Sequence, residues 1–159
     1  MQTVELEELS SAPPSHKPQR ILVVDDEPRI RLALRSCLED GGYEVLEAFD
    51  GLDALDHIIT NAPDLMIIDL AMPTMGGIKT LEHLHGLHGQ LKPRVIVLTA
   101  WASFPSAMQT IALGASLFIP KPVLPDQLRE AVEKVLQEPA EVDHGVPIDW
   151  SESLREEEE

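Results

Sequence analysis

Short apolar runs rich in isoleucine and valine recur at Ile21–Val24, Leu65–Ile68, Val95–Leu98 and Leu117–Ile119. None alternates with polar residues, which is the pattern of strands buried on both faces. Tyr43–Ala48 differs: Glu44, Val45, Leu46 and Glu47 mix polar with apolar positions, as an edge strand does. Between the runs, apolar residues recur at helical spacing. Ile30, Leu34, Cys37 and Leu38 form one stripe, and Asp50 stands where it can cap a second helix carrying Leu52, Leu55, Ile58 and Ile59. A third helix is predicted from Ile78 to His88 and a fourth from Ser103 or Pro105 to Gly114. A fifth is striped by Leu128, Val132, Val135 and Leu136. Five strand-then-helix units in succession predict an α/β fold, a parallel sheet with helices on both faces.

These units occupy residues 20–138. Residues 1–19, with Ser10, Ser11, Pro13, Pro14, Ser15 and Pro18, read as a flexible N-terminal arm. Residues 139–159 read as an acidic tail, with eight acids against the single Arg155. The chain of 159 residues is long enough to bury a core, and 43% apolar with 25% charged residues is a globular composition. No apolar run approaches the roughly 18 residues of a membrane span. Met1 to Leu9 lacks the basic region and apolar block of a signal peptide, so a cytoplasmic location is expected. The lone Cys37 excludes an internal disulfide, fits a reducing compartment and lies on a core stripe. The net charge of −16 repels phosphate backbones, so no direct nucleic-acid binding is expected.

In open parallel sheets, ligands bind at the carboxyl ends of the strands. Asp25, Asp26 and Glu27 follow the first run, Asp69 the third strand, Thr99 the fourth and Lys121, after Pro120, the fifth. Acids, a hydroxyl and an ammonium thus gather at one edge. Two carboxylates about 4 Å apart repel by roughly 4 kcal/mol at an effective dielectric of 20, so such a pocket shifts its pKa values or recruits a cation. Oxygen ligands without histidine or cysteine suit a hard ion, Mg²⁺ best. Magnesium keeps positions open for phosphate oxygens, and phosphoryl transfer needs chiefly positioning and charge neutralisation. A carboxylate can act as the nucleophile and become an acyl phosphate.

ILVVDDE at 21–27, IIDLAMPTMGG at 67–77, LTA at 98–100 and FIPKP at 118–122 resemble the receiver domain of two-component response regulators. The resemblance runs from Arg20 to Glu138. It implies a flavodoxin-like (βα)5 fold of strand order 2-1-3-4-5, with the switch point between the first and third strands. It also implies that Asp69 is the phosphoacceptor, that Asp26 binds Mg²⁺ directly and that Asp25 assists through a water. The main-chain carbonyl of Ala71 completes the protein ligands. Lys121 pairs with Asp69 before transfer and contacts the phosphoryl group afterwards. Thr99 bonds a phosphoryl oxygen and draws its loop inward, and Phe118 is the switch aromatic that rotates with it. The Lys121–Pro122 bond is expected to be cis. The implied partners are a sensor histidine kinase or histidine phosphotransfer protein and an unknown output protein, bound on the face of the fourth helix, fifth strand and fifth helix; a homodimer is left open.

TAWASFPSAMQTIALGA at 99–115 is most similar to the receivers of nitrogen-regulation-type activators, which carry further domains after the receiver. The chain is therefore either a single-domain regulator or a fragment. Two positions bear on phosphoryl lifetime. Ala71 offers no amide or acid to orient water, and Trp101 either shields the phosphoryl group or is an exposed loop aromatic. The expectation is slow self-hydrolysis.

Plainer readings compete. Asp26–Glu27–Pro28 would serve as a helix start even without a ligand. Gly76 and Gly77 suit a turn, since no GxxxxGK pattern follows. His83, His85 and His88 read as a solvated helix face rather than a metal site. Trp150 and Leu154, spaced i,i+4 after a capping Asp149, are candidates for a short docking helix. Among rival functions, phosphohydrolases with an aspartyl phosphate carry a second acid two positions after the nucleophile. Ala71 stands there instead, which favours a signalling switch that catalyses only its own phosphorylation and dephosphorylation. A phosphorylation-independent binding module would have little need of Asp25, Asp26, Asp69 and Lys121 together.

Overall fold

The computed structural model describes residues 17–87 and 92–139. Its strands are β1 (Arg20–Val24), β2 (Glu44–Ala48), β3 (Leu65–Ile68), β4 (Arg94–Thr99) and β5 (Leu117–Pro120). They alternate with helices α1 (Pro28–Asp40), α2 (Gly51–Asn61), α3 (Gly77–His85), α4 (Phe104–Ala112) and α5 (Pro125–Gln137). All strand pairs are parallel, in the order β2-β1-β3-β4-β5. The expected order is thus present, and the mixed-polarity β2 is an edge. β5 is the other edge: the run Leu117–Ile119, expected to be buried on both faces, is only half-buried because β5 has a neighbouring strand on one side alone. The reversal of order falls between β1 and β3, where Val24 lies opposite Ile68.

Two apolar layers flank the sheet, and the strands supply both because successive side chains point to opposite faces. Ile21, Val23, Leu65, Ile67, Ile96 and Leu98 pack under α1 and α5, which contribute Leu34, Leu38, Leu128, Val132 and Val135. Leu22, Val24, Met66, Ile68, Val95 and Val97 pack on the other side with Ala54, Ile58, Leu81 and Leu84. Each fully buried Leu or Ile contributes roughly 1.5–3 kcal/mol relative to exposure. Cys37 packs half-buried against the first layer, as its stripe suggested.

The inward face of α2 departs from the expected stripe. Gly51, Ala54 and Ile58 are buried, whereas Leu52 is 54% and Ile59 66% exposed. The small residues win because they let the helix approach its neighbours closely, which bulky side chains at those positions would prevent. Asp50 does cap this helix, its carboxylate accepting the Asp53 amide at 2.8 Å. Ser103 caps α4, and of the two proposed starts it is the one the chain uses. α3 ends at Gly86, short of the expected His88, which lies outside the described residues together with the arm to residue 16, most of the tail and the segment of Trp150 and Leu154. No helix among the described residues is long and apolar enough to cross a membrane.

Candidate functional site

The strand ladder continues one residue beyond each strand and so fixes the backbone of the predicted cluster. The Asp69 amide donates to the Val24 carbonyl at 3.0 Å, the Asp25 amide to Ala48 at 3.2 Å and the Lys121 amide to Thr99 at 2.9 Å. Three residues separated by 44 to 96 positions are thereby held at one sheet edge by main-chain bonds alone.

Their side chains converge on Asp69. Lys121 Nζ lies 2.8 Å from Asp69 Oδ2 and 2.8 Å from Asp25 Oδ2. Thr99 Oγ1 donates to Asp69 Oδ1 at 2.8 Å, and the Ala71 amide donates to the same oxygen at 3.1 Å. Asp25 is only 2% exposed, Asp69 8% and Thr99 fully buried, whereas Asp26 stands in solvent at the mouth. Buried charges require partners, and here every one has them.

Electrostatics follow from that geometry. Burial pushes the Asp69 carboxyl up, but bonds from Lys121, Thr99 and the Ala71 amide outweigh it, leaving the carboxyl below its ordinary range. Burial likewise opposes the Lys121 charge, and the bonds to Asp25 and Asp69 more than restore it, raising the ammonium above its ordinary value. Asp69 is thus an ionised carboxylate at neutral pH, as a nucleophile must be.

The cluster also fits a cation. One carboxylate oxygen from each of Asp25, Asp26 and Asp69 lies within 4.8 Å of the others. Three acids against one ammonium leave an excess of two negative charges, matching a divalent ion. The donors are all oxygen, the chemistry that Mg²⁺ prefers. Among the described residues this is the one such group of His, Cys, Asp and Glu, and His83 and His85 belong to none.

The remaining expected positions lie around this centre. The Lys121–Pro122 bond is cis, as expected. Phe118 is half-buried, packed on the layer beneath α2 and α3. Trp101 joins the network through its backbone, its amide donating to Thr99 Oγ1 at 3.1 Å, while the indole is 73% exposed. The structure adds two residues that sequence reasoning did not single out for the site. Arg31 Nη1 donates to the Asp25 carbonyl at 2.6 Å while its Nε meets Glu47 at 3.3 Å, so it braces the first acid against β2. No local pattern announces that reach across two elements. Gly77, read as a turn residue, abuts Asp69 itself: a Cβ there would stand 2.5 Å from the Asp69 carbonyl oxygen. The paired glycines were the visible signal, and only the fold shows what they accommodate.

Comparison with known proteins agrees with this arrangement. Residues 21–133 match the family model described as the response regulator receiver domain. The chain is 35% identical over 118 residues to sporulation initiation phosphotransferase F of Bacillus subtilis, covering 74% of this chain and 94% of that protein. It is also 36% identical to the mycobacterial response regulators MprA, of whose length it spans about half. Among solved structures, a CheY-like receiver domain protein from Methanospirillum hungatei superposes with a TM-score of 0.71 at 32% identity, over 76% of this chain and 94% of that one. The response regulator TrrA of Thermotoga maritima, in complex with Mg²⁺–BeF, gives 0.64 at 34% identity, over 74% and 98%. With its parallel sheet, its acids at the switch point and its ammonium just after the last strand, the chain belongs to the response regulator receiver domains of two-component systems.

Proposed function

We propose that Asp69 accepts a phosphoryl group from a histidine kinase or histidine phosphotransfer protein, in a site holding Mg²⁺, and that the chain works as a signalling switch. The observation that carries this reading is the convergence on Asp69 of Lys121, Thr99 and the Ala71 amide, beside Asp25 and Asp26. In the transfer, the N–P bond of the donor histidine breaks as a bond forms from an Asp69 carboxylate oxygen to phosphorus. Asp26, Asp25, Asp69 and the Ala71 carbonyl would hold the ion. When bound, Mg²⁺ neutralises the phosphoryl oxygens. Lys121 leaves its carboxylate partner and follows the charge onto the phosphoryl group. Thr99, already donating to Asp69, turns its hydroxyl to a phosphoryl oxygen and draws with it the loop that begins at Trp101.

Phe118 is the element that transmits this movement. It lies half-buried at the edge of a packed layer, so an inward rotation into space vacated by Thr99 changes the face of α4, β5 and α5, where an output protein binds. The unit that performs this is residues 20–138, with 1–19 and 139–159 as flanking segments. Both Ala71 and Trp101 slow the loss of the phosphoryl group, the first by offering attacking water no orienting group. The work is cytoplasmic, and whether the active form is a homodimer is decided by sedimentation of the phosphorylated chain.

One experiment tests the central step. The protein is incubated with Mg²⁺ and acetyl phosphate, and intact mass is measured for the native chain and for Asp69→Asn. A gain of one phosphoryl group that the variant lacks is expected. Steady turnover of phosphate monoesters would replace the switch by a hydrolase, and no adduct at all would leave only a binding module.

A further inference from the structure

The loop that follows Asp69 is fixed to a helix from a different strand–helix unit. At its base, the Gly77 amide donates to the Leu70 carbonyl at 3.1 Å. Next to Asp69, the Ala71 amide is held on the carboxylate. Its far side is held by Gly51, the first residue of α2, whose amide donates to the Met75 carbonyl at 3.1 Å. The loop is thus tied at three points, to α2, to α3 and to Asp69 itself.

Gly51 is buried, and the space for a side chain there is already filled. A Cβ would stand 2.1 Å from Thr80 Oγ1, 2.6 Å from Met75 Cγ and 2.9 Å from the Met75 carbonyl oxygen. The neighbours have little room to give. Met75 O is backbone, and Thr80 is fully buried with its hydroxyl donating to the Gly76 carbonyl at 2.9 Å. Packed interiors transmit such a displacement rather than absorb it. Any side chain at Gly51 therefore drives α2 away from the loop or the loop away from α2.

The geometry points to Gly51 as a positioning residue for the cation site: its missing side chain lets α2 seat on Met75 and Thr80, and this seat fixes the loop that carries Ala71 beside Asp69. The inference rests on the reading of Asp25, Asp26, Asp69 and Ala71 as the cation's ligands. It assigns to a residue of the second strand–helix unit a part in a cation site built from the first and third. The identity of the ion sharpens the expectation. Mg²⁺ demands near-ideal octahedral geometry at about 2.0–2.1 Å, whereas Ca²⁺ accepts flexible coordination. Loosening the loop should therefore weaken Mg²⁺ far more than Ca²⁺.

The test is calorimetric titration of the full chain with Mg²⁺ and, separately, Ca²⁺. Native protein is compared with Gly51→Ala and, should that variant not fold, with the double variant Gly51→Ala/Thr80→Ala, which removes the hydroxyl nearest the added Cβ and leaves Met75 as the neighbour it displaces. Ile58→Val, in the buried face of the same helix, controls for general softening. The expected result is a loss of Mg²⁺ affinity of about tenfold in Gly51→Ala, the range found when ligand-supporting groups are removed, with part of it recovered in the double variant. Ca²⁺ affinity should fall much less, and Ile58→Val should change neither ratio. Native binding of Mg²⁺ with unchanged affinity in both loop variants overturns this inference alone. Equal losses for the two ions, or the same loss in Ile58→Val, overturn it in favour of general destabilisation. A native chain that takes up no Mg²⁺ overturns the cation reading itself and the inference with it.

Discussion

Lys121 Nζ rests 2.8 Å from Asp69 and equally close to Asp25, so one ammonium serves two carboxylates that are almost wholly withdrawn from water. Removing it leaves two buried like charges facing each other. Lys121→Met is expected to lower unfolding free energy by about 2–4 kcal/mol in EDTA, the scale for breaking a buried ion pair from one side. Mg²⁺ should then restore more stability to the variant than it adds to the native chain, because the ion no longer competes with a resident cation. Urea unfolding with and without Mg²⁺ reads both quantities. Equal Mg²⁺ responses would show that Lys121 and the ion do not share the site.

The same pair sets a pH window. The Asp69 carboxyl lies below its ordinary 3.8, so its stabilisation is present above that value and lost as pH falls through the lower folded value. The Lys121 ammonium lies above its ordinary 10.5, so its share is present below 10.5 and lost as pH rises through the higher folded value. Between about pH 5 and pH 9 this pair contributes a flat term. In unfolding experiments without Mg²⁺, the gap between native protein and Asp69→Asn should narrow on the acid side. A gap that stays constant down to about pH 3 contradicts the assignment.

Thr99 is bonded in two directions, giving its hydrogen to Asp69 and accepting the Trp101 amide. Thr99→Val cuts both links and should cost about 1–2 kcal/mol, since it strands a donor and weakens the hold on the carboxylate. Its more telling effect is on signal transmission. In a Trp150→Phe background, Trp101 is the one indole, and its fluorescence should change when acetyl phosphate and Mg²⁺ are added. Thr99→Val should still gain phosphoryl mass yet lose the optical change. A retained change would mean that the loop moves without the threonine.

The acyl phosphate on Asp69 is expected to persist for minutes or longer at neutral pH with Mg²⁺. A half-life of seconds would refute this. The exposed indole of Trp101 covers nothing as it stands, so any protection depends on the inward loop movement. Trp101→Ala should shorten the half-life, on the order of tenfold if the indole then excludes water, or about 1.4 kcal/mol of barrier. Mass measured over time after removal of acetyl phosphate gives the rate.

Four apolar runs lie within a residue or so of the observed strands, and for β1, β3 and β4 the reason is burial on both faces; β5 reads the same way although it is an edge and only half-buried. The acids were legible for a related reason: parallel strands carry their chemistry at one end, so position along the chain translates into position in space. Reading α2 from its bulky residues found Leu55 and Ile58 but misplaced Leu52 and Ile59, because Gly51 and Ala54 bury by being small, which a hydrophobic stripe does not register. The unequal standing of Asp25 and Asp26, one paired with Lys121 and one in solvent, depends on side-chain direction at a strand end, which neighbouring sequence does not encode. Arg31 and Gly51 act across elements far apart in sequence, where spacing carries no information.

The placement of Lys121 just after the last strand has a consequence for synthesis. Asp25 emerges from the ribosome 96 residues before the ammonium that will neutralise it. Until β5 is made and docks at the sheet edge, a nascent chain holding β1, β3 and β4 presents its acids with no cation of its own. An ion that binds only folded chains stabilises them in proportion to its concentration. On the Mg²⁺ reading proposed above, the unfinished chain would lean on cellular magnesium at a stage when the completed one has its own lysine.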